Sequence, residues 1–295
     1  MRSAIPAGSA LRLGRKEFAA HEPVVMGIVN RTPDSFFDRG RTYGLDAALA
    51  RVDQVVDEGA GIVDIGGVKA APGAEVSAEE EADRVVELVE RARDRHPDVV
   101  LSVDTYRASV GDLVCRAGAD LLNDAWGGWE PELAEVAGRH GVGLVCTHAG
   151  RLPPRTRPHR VQYDDVVDDV VREVVRLAER AVEAGVPREA VLIDPGHDFG
   201  KSSRHSLQVT RRLDELVATG WPVLVALSRK DFVGEALDLG LDDRLEGTLA
   251  ATAVSAFLGA RVFRAHDVAA TVRTVRMVAA ITGDADLAVG RRGLA

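Results

Sequence analysis

The sequence predicts an α/β protein built as one (β/α)8 barrel, and three observations carry that prediction. Eight short runs rich in β-branched and other apolar residues recur along the chain. Longer segments with a 3.6-residue apolar period separate them, such as DDVVDDVVREVVRLAERAVEAG at 164–185. Glycine repeatedly marks the exit from a helical segment into the next run. Continuous apolar strands alternating with helices belong in a parallel sheet covered on both faces. Eight evenly spaced units favour closure into a TIM barrel over an open, doubly wound sheet.

The elements follow in order. The first run, VVMGIVN (24–30), is apolar up to its last residue. GIVDIGG (61–67) follows the helix exit at Gly59, and VVLSVD (99–104) comes next. ADLLND (119–124), VGLVCTH (142–148) and AVLIDPG (190–196) follow exits at Gly118, Gly141 and Gly185. PVLVALS (222–228) and ARVFRAH (260–266) follow Gly220 and Gly259. Glycine suits these places because the residue closing a helix commonly adopts the left-handed conformation. The barrel is expected to span 21–283 as a single domain, with flexible tails at 1–20 and 284–295.

Composition narrows the partners. A net charge of -9 disfavours non-specific nucleic-acid binding. No apolar stretch approaches the length of a membrane span, and the first 20 residues lack a secretory apolar core. Cys115 and Cys146 are too few for a disulfide framework, which fits a reducing cytoplasm.

In a barrel of this kind the active site lies at the C-terminal ends of the strands. Those ends carry Asn30, Asp64, Asp104, Asn123 with Asp124, His148, Asp194, Lys230, and Arg264 with His266. Singly, each has a plain reading: Asp64 and Asp124 read first as caps or structural groups. Together they form a polar rim. Lysine occurs only at positions 16, 69, 201 and 230, and the last three fall in rim loops. Asp104, Asn123, Asp194 and Lys230 offer two acceptors, an amide and a cation, a set suited to a flat nitrogen heterocycle such as a pterin. Asn30, Arg264 and His266 offer donors without fixed negative charge and suit pyrophosphate, and the Asn30 amide oxygen could ligate Mg2+. Zinc-type spacing, a Walker loop and a serine nucleophile elbow are absent from the sequence.

The ordered set MGIVNRTPDSFFDRG, DIGG, PGA, SVDT, ND, DPGHDFGK, SRKDFVG and RAHDV resembles the dihydropteroate synthase family over residues 24 to 282. The nearest likeness is to a divergent second homologue found in actinobacteria. The resemblance implies a usually dimeric, cytoplasmic barrel that joins a dihydropterin CH2-pyrophosphate to p-aminobenzoate, releasing pyrophosphate with Mg2+. It implies catalytic roles for Lys230, Asp194 and Asp104, and pterin contacts from these residues with Asn123. Asn30, Arg264 and His266 would face the pyrophosphate, Asn30 would ligate the metal, and Asp38 would sit in a mobile first loop.

The departures are as informative. Where the family's second loop reads Gly-Gly-Glu-Ser-Thr-Arg-Pro-Gly, this chain has GGVKAAPG, so Lys69, Ala70 and Ala71 replace Ser, Thr and Arg. Asp231 replaces the serine that helps receive the aminobenzoate carboxylate. Its carboxylate is expected to repel that group or, as a helix cap, to take the amides the substrate would use. His197 and Asp198 stand where apolar and Gly residues are usual, and His197 reads as a packing residue. The loop GRLPPRTRPHR carries Arg151, Arg155, Arg157 and Arg160 and could draw in an anion. The resulting reading is a dihydropteroate synthase-like protein of the folate pathway that keeps its pterin-pyrophosphate site. Its aminobenzoate site is altered, so that it is inactive or weak as a synthase, binding pterin or using another acceptor. An active synthase is the alternative. A methyltransferring pterin barrel is a third reading, disfavoured because it has no use for Asn30, Arg264 and His266 around a pyrophosphate.

Overall fold

The computed structural model describes residues 10–32, 42–156 and 161–292. An antiparallel hairpin, β1 (Leu11–Leu13) and β2 (Lys16–Phe18), precedes the barrel. The barrel strands are β3 (Val24–Asn30), β4 (Ile62–Gly66), β5 (Val100–Asp104), β6 (Leu121–Asp124), β7 (Gly143–Thr147), β8 (Val191–Asp194), β9 (Leu224–Val225) and β10 (Val262–Ala265). Single helices follow the first five: α1 (Leu45–Asp57), α2 (Ala78–Arg95), α3 (Ala108–Arg116), α4 (Glu132–His140) and α5 (Val166–Glu183). Two follow β8, α6 (Ser203–Arg211) and α7 (Leu213–Val217), and two follow β9, α8 (Asp231–Leu237) and α9 (Leu245–Phe257). The last is α10 (Val268–Thr282).

All neighbouring barrel strands are parallel, in the order β8-β7-β6-β5-β4-β3-β10-β9. A parallel bridge between Ile193 and Val223 joins the two ends and closes the barrel. The strands are short and buried on both sides, which is why their sequences read as unbroken apolar runs. Alternate residues serve different cores. Val25, Val29, Val63, Ile65, Leu101 and Val103 pack outward under the helices. Met26, Ile62, Val100, Leu121, Leu192, Leu224 and Val262 point inward. Gly118 shows what the helix exits require: its φ is +108°, a conformation an L side chain rarely adopts.

The N-terminal segment departs from the expected tail. Leu11, Leu13 and Phe18 are buried and join the inner cluster with Met26 and Ile62. The hairpin therefore plugs the barrel at the end opposite the rim, and the folded unit begins well before residue 21. With strands of three residues each, the hairpin is too short to show a period in sequence. Beyond α10, residues 284–292 carry no helix or strand.

Candidate functional site

The polar rim follows from strand geometry. Successive side chains alternate, so the residue two positions beyond an inward apolar residue also points inward, one layer nearer the rim. Ile62 is followed by Asp64, Val100 by Ser102, Leu121 by Asn123, Leu192 by Asp194, and Val262 by Arg264. Asp64, at the centre, is completely buried. Its carboxylate accepts from Ser102 Oγ at 2.6 Å, from Asn123 Nδ2 at 3.2 and 3.3 Å, and from Arg264 Nε at 2.6 Å. Asp64 is thus structural, and the Asn123 amide nitrogen is engaged, leaving its carbonyl oxygen to offer a ligand. Asp124 accepts from the amides of Trp126 (2.9 Å) and Gly128 (2.7 Å), so it orders the turn after β6.

Arg264 donates to Asp64 and, through its second arm, to Asp104 Oδ2 at 3.0 Å. It sits inward on β10 one layer above Val262, which puts it among the carboxylates of β4 and β5. Burial would lower the guanidinium pKa, but Asp64 and Asp104 outweigh it and hold the group more firmly protonated. Burial raises Asp104 to about 7, opposed by Arg264. This carboxyl is poised to change charge near neutrality.

Lys230 enters from the loop after β9. Its Nζ donates to the His197 carbonyl at 2.5 Å and lies 4.6 Å from the Phe199 ring centre. Burial lowers its pKa, while Asp198 and Asp194 oppose the shift. Asp194 accepts from the Gly196 amide at 2.7 Å, and burial raises its pKa against the pull of Lys230. Lys201 is a different kind of group. Its ammonium donates to His148 Nδ1 at 2.6 Å and to the carbonyls of Phe199, Gly196 and His148 at 3.0, 3.1 and 3.2 Å. His148 Nε2 then donates to Asp169 at 3.0 Å. This buried chain pins the loop after β8 to β7. His197 is a packing residue, stacked on Phe232 and bonded to Thr210 at 2.9 Å.

One cavity of about 570 Å3 gathers Asn30, Lys69, Ala70, Ala71, Asp104, Asn123, Asp194, Lys230, Asp231, Arg264 and His266 at the rim. A second, of about 670 Å3, shares Asn30 and His266 with it and runs outward between α1 and α10, past Arg51 and Arg273. At this shared wall, His266 Nδ1 meets Ser228 Oγ at 2.9 Å, and burial, with Arg264 beside it, lowers its pKa to about 3. His266 is therefore neutral at physiological pH. The Asn30 amide oxygen overhangs Gly66, where a Cβ would stand only 3.0 Å away.

The opposite flank of the cavity corrects the reading of Asp231. Its side chain is largely exposed and accepts from Arg244 at 3.1 Å. Lys230 is the N-cap residue of α8 and supplies no side-chain cap. The carboxylate on the α8 amides belongs to Asp198, whose Oδ2 accepts from the amides of Asp231 (2.7 Å) and Phe232 (3.4 Å). The loop after β8, not α8 itself, supplies the anion. Above it, Arg155 donates to the carbonyls of Ala71 (3.2 Å) and Ala74 (2.7 Å), tying the fifth loop to the second across the mouth. Ala70 and Ala71 offer no side-chain donors. Asp38, Arg157 and Arg160 lie outside the described residues.

Reading the sequence missed what Asp198, Arg155 and Lys201 do. Asp198 carried a signal as a charged residue where the family has glycine. Arg155 carried none, because its partners lie 84 and 81 residues away.

Comparison with known proteins bears on this geometry. A family model described as pterin binding enzyme matches residues 26–266. The chain is 55% identical over 281 residues to "Inactive dihydropteroate synthase 2" of Mycobacterium leprae, covering 94% of this chain and 97% of that protein. It is 41% identical over 260 residues to the dihydropteroate synthase of Bacillus subtilis, covering 88% of each. A crystal structure of Yersinia pestis dihydropteroate synthase with a sulfonamide drug superposes with a TM-score of 0.88 at 38% identity, covering 94% of this chain and all of that one.

Proposed function

Because this chain belongs to the pterin-binding enzyme family that includes the dihydropteroate synthases, we propose that it binds a dihydropterin carrying a CH2-pyrophosphate and is inactive or weak in joining it to p-aminobenzoate. The observation that carries the reading is the gathering of Asp104, Asn123, Asp194 and Lys230 with Asn30, Arg264 and His266 around one cavity. The carboxylates and the Asn123 carbonyl oxygen receive the ring N–H groups, and the Lys230 ammonium meets a ring acceptor. These three kinds of contact fix the ring's orientation. Arg264 spans both halves of the site: bound to Asp64 and Asp104, it presents its guanidinium between ring and pyrophosphate. Neutral His266 and the Asn30 amide face the leaving group.

Departure of pyrophosphate leaves positive charge on the methylene carbon. Asp104 and Asp194 lie where such charge is stabilised electrostatically, without a nucleophile from the protein. Magnesium fits as an ion carried by the substrate. No cluster of three acidic, His or Cys groups that could hold a metal occurs among the described residues. Mg2+ typically takes one or two protein oxygens and completes its shell with phosphate and water. The Asn30 oxygen over Gly66 is such a ligand.

On the acceptor flank, Ala70 and Ala71 cannot close over a second substrate with side-chain hydrogen bonds. The identity to a protein named inactive supports loss of the condensation step. An active synthase remains the second reading, favoured by the 41% identity to the Bacillus subtilis enzyme. A homodimer is supported by exposed apolar side chains on α9 and α10, Val254, Phe257, Met277 and Ile281. The free, unpaired Cys115 and Cys146 fit a reducing cytoplasm.

Titration calorimetry with the dihydropterin pyrophosphate, with and without Mg2+, tests the first part. Binding is expected, tighter with Mg2+, and lost by roughly a hundredfold in Lys230→Ala, which removes a hydrogen-bonded charge. No binding at millimolar ligand by folded wild-type protein refutes it. Steady pyrophosphate release on adding p-aminobenzoate, at a rate matching an active synthase, favours the second reading.

A further inference from the structure

Asp198 occupies a backbone position with φ +66°, the left-handed region. Glycine is the unstrained choice there, and Asp is among the few L residues that tolerate it. The side chain is held at both ends. Oδ1 accepts from Ser206 Oγ at 3.1 Å, the same hydroxyl accepts from the Asp198 amide at 3.1 Å, and Ser206 is fully buried. Oδ2 takes the Asp231 and Phe232 amides. The carboxylate thus bridges the loops after β8 and β9 as a fixed part of the cavity wall.

Around it the flank has a consistent character. Asp198, Asp231 and Glu235 all line the cavity. Lys230, the nearest cation, is directed to the His197 carbonyl and the Phe199 ring. Part of the wall is apolar: Trp126 and Phe199 meet edge to face with centroids 5.1 Å apart, beside Ala149 and Leu152, while Ser202 and Ser203 add uncharged hydroxyls. An incoming carboxylate would find the two amides already taken and a like charge in their place. An uncharged aromatic group would meet the rings and methyl groups without that repulsion.

Resting on the pterin-binding reading above, we propose that Asp198 is the residue that sets the choice of second ligand, excluding carboxylates and leaving the flank open to an uncharged aromatic amine. On this reading the exclusion does not depend on Asp231, whose carboxylate accepts from Arg244. It also assigns a function to a side chain that costs the loop its unstrained glycine.

The test compares 4-aminobenzoate with 4-aminobenzamide, which share a ring and an amine and differ in charge. Affinities are measured for wild type, Asp198→Asn, Asp198→Gly and Asp231→Ser, in pterin-saturated and in pterin-free protein. Wild type is expected to favour the amide. Asp198→Gly, which removes the charge, frees the amides and relieves the backbone, should raise benzoate affinity at least about tenfold and leave benzamide affinity within about threefold. Asp198→Asn keeps an oxygen on the amides and should give a smaller gain. Asp231→Ser should change the ratio less than about twofold. A ratio unchanged in both Asp198 variants, with pterin bound as in wild type, overturns the proposal. Because the ratio is also read without pterin, failure to bind pterin refutes the pterin site alone and leaves the Asp198 result to be judged separately.

Discussion

The two sides of the cavity are built on different principles. The wall proposed to face pterin stands on strands. Asp64, Asn123, Asp194 and Arg264 each occupy the inward position one layer above an apolar residue, so barrel closure alone brings them together. The acceptor flank stands on loops, held by side chains reaching foreign backbone: Asp198 to the α8 amides, Arg155 to the second loop, Lys201 to three carbonyls. A wall set by the strand register is hard to change piecemeal. A flank made of cross-loop contacts can be altered at one residue without disturbing the core. A family member that keeps its first ligand and changes its second would be expected to diverge on the flank, which is where Ala70, Ala71 and Asp198 lie.

The sharpest test of this contrast is Asp64→Ala. Ser102 and Asn123 lose their acceptor, and Arg264 keeps only Asp104. Removing one partner of a buried ion pair costs roughly 3–5 kcal/mol. Denaturant unfolding should register that loss, with the pterin wall failing as a unit. Hydrogen exchange in residues 70–75 should keep its wild-type pattern in the remaining folded protein. A loss below about 1 kcal/mol would mean the wall is not a single network.

A smaller effect comes from Asp104. Burial pushes its carboxyl up from an ordinary 3.8 to about 7, against the pull of Arg264. A carboxyl raised on folding favours the folded state fully below the unfolded pKa, and that advantage is lost as pH rises towards 7. Pterin binding should run the other way. Ring N–H groups need the ionised acceptor, so affinity should climb through about pH 7, by up to about tenfold per unit below it. Asp124 and Lys201, at about 6 and 7, titrate in the same range. The measurement is therefore the difference between wild type and Asp104→Asn. Identical pH profiles for the two proteins would remove Asp104 from the ring contacts.

The same division explains what the sequence made legible. Strand ends are readable because alternation is local: two residues past Leu121 must be Asn123, and both must face inward. The partners of a side chain are not local. Nothing in RAHDV reveals that β4 and β5 place Asp64 and Asp104 against Arg264, so its carboxylate partners are invisible in the sequence. Adjacency offers Asp231 as a cap on α8, one of its two readings, although Asp198, 33 residues earlier, supplies the carboxylate. The hairpin reads as a tail because its six strand residues are too few to show a period, and only the closed barrel gives Leu11 and Phe18 a core to enter.

Arg155→Ala probes the flank at moderate cost. It removes two partly exposed hydrogen bonds to Ala71 and Ala74, worth about 1 kcal/mol in the loop and little in the barrel. Hydrogen exchange should become faster at residues 70–75, while pterin affinity stays within about threefold of wild type. Unchanged protection there would show that the second loop holds its place without the fifth.

Asp231→Ser should have the least effect of all. The carboxylate is mostly exposed, and its partner Arg244 has other anchors, the carbonyls of Arg229 at 3.0 Å and Leu239 at 3.3 Å. An exposed ion pair of this kind contributes well under about 1 kcal/mol, and serine should cost less than about 0.5 kcal/mol in stability. The α8 amides keep their ligand in Asp198, so serine gains no access to them. Placing the family's usual residue at position 231 should therefore leave aminobenzoate binding where it was. The informative comparison is the double variant Asp198→Gly, Asp231→Ser. With Asp198 gone the amides are exposed, and a serine hydroxyl beside them can contribute to receiving a carboxylate. The double variant should then exceed the sum of the single changes, as for groups sharing one ligand. If Asp231→Ser alone strengthens aminobenzoate binding as much as Asp198→Gly does, the charge at the mouth governs selectivity rather than the carboxylate on the helix.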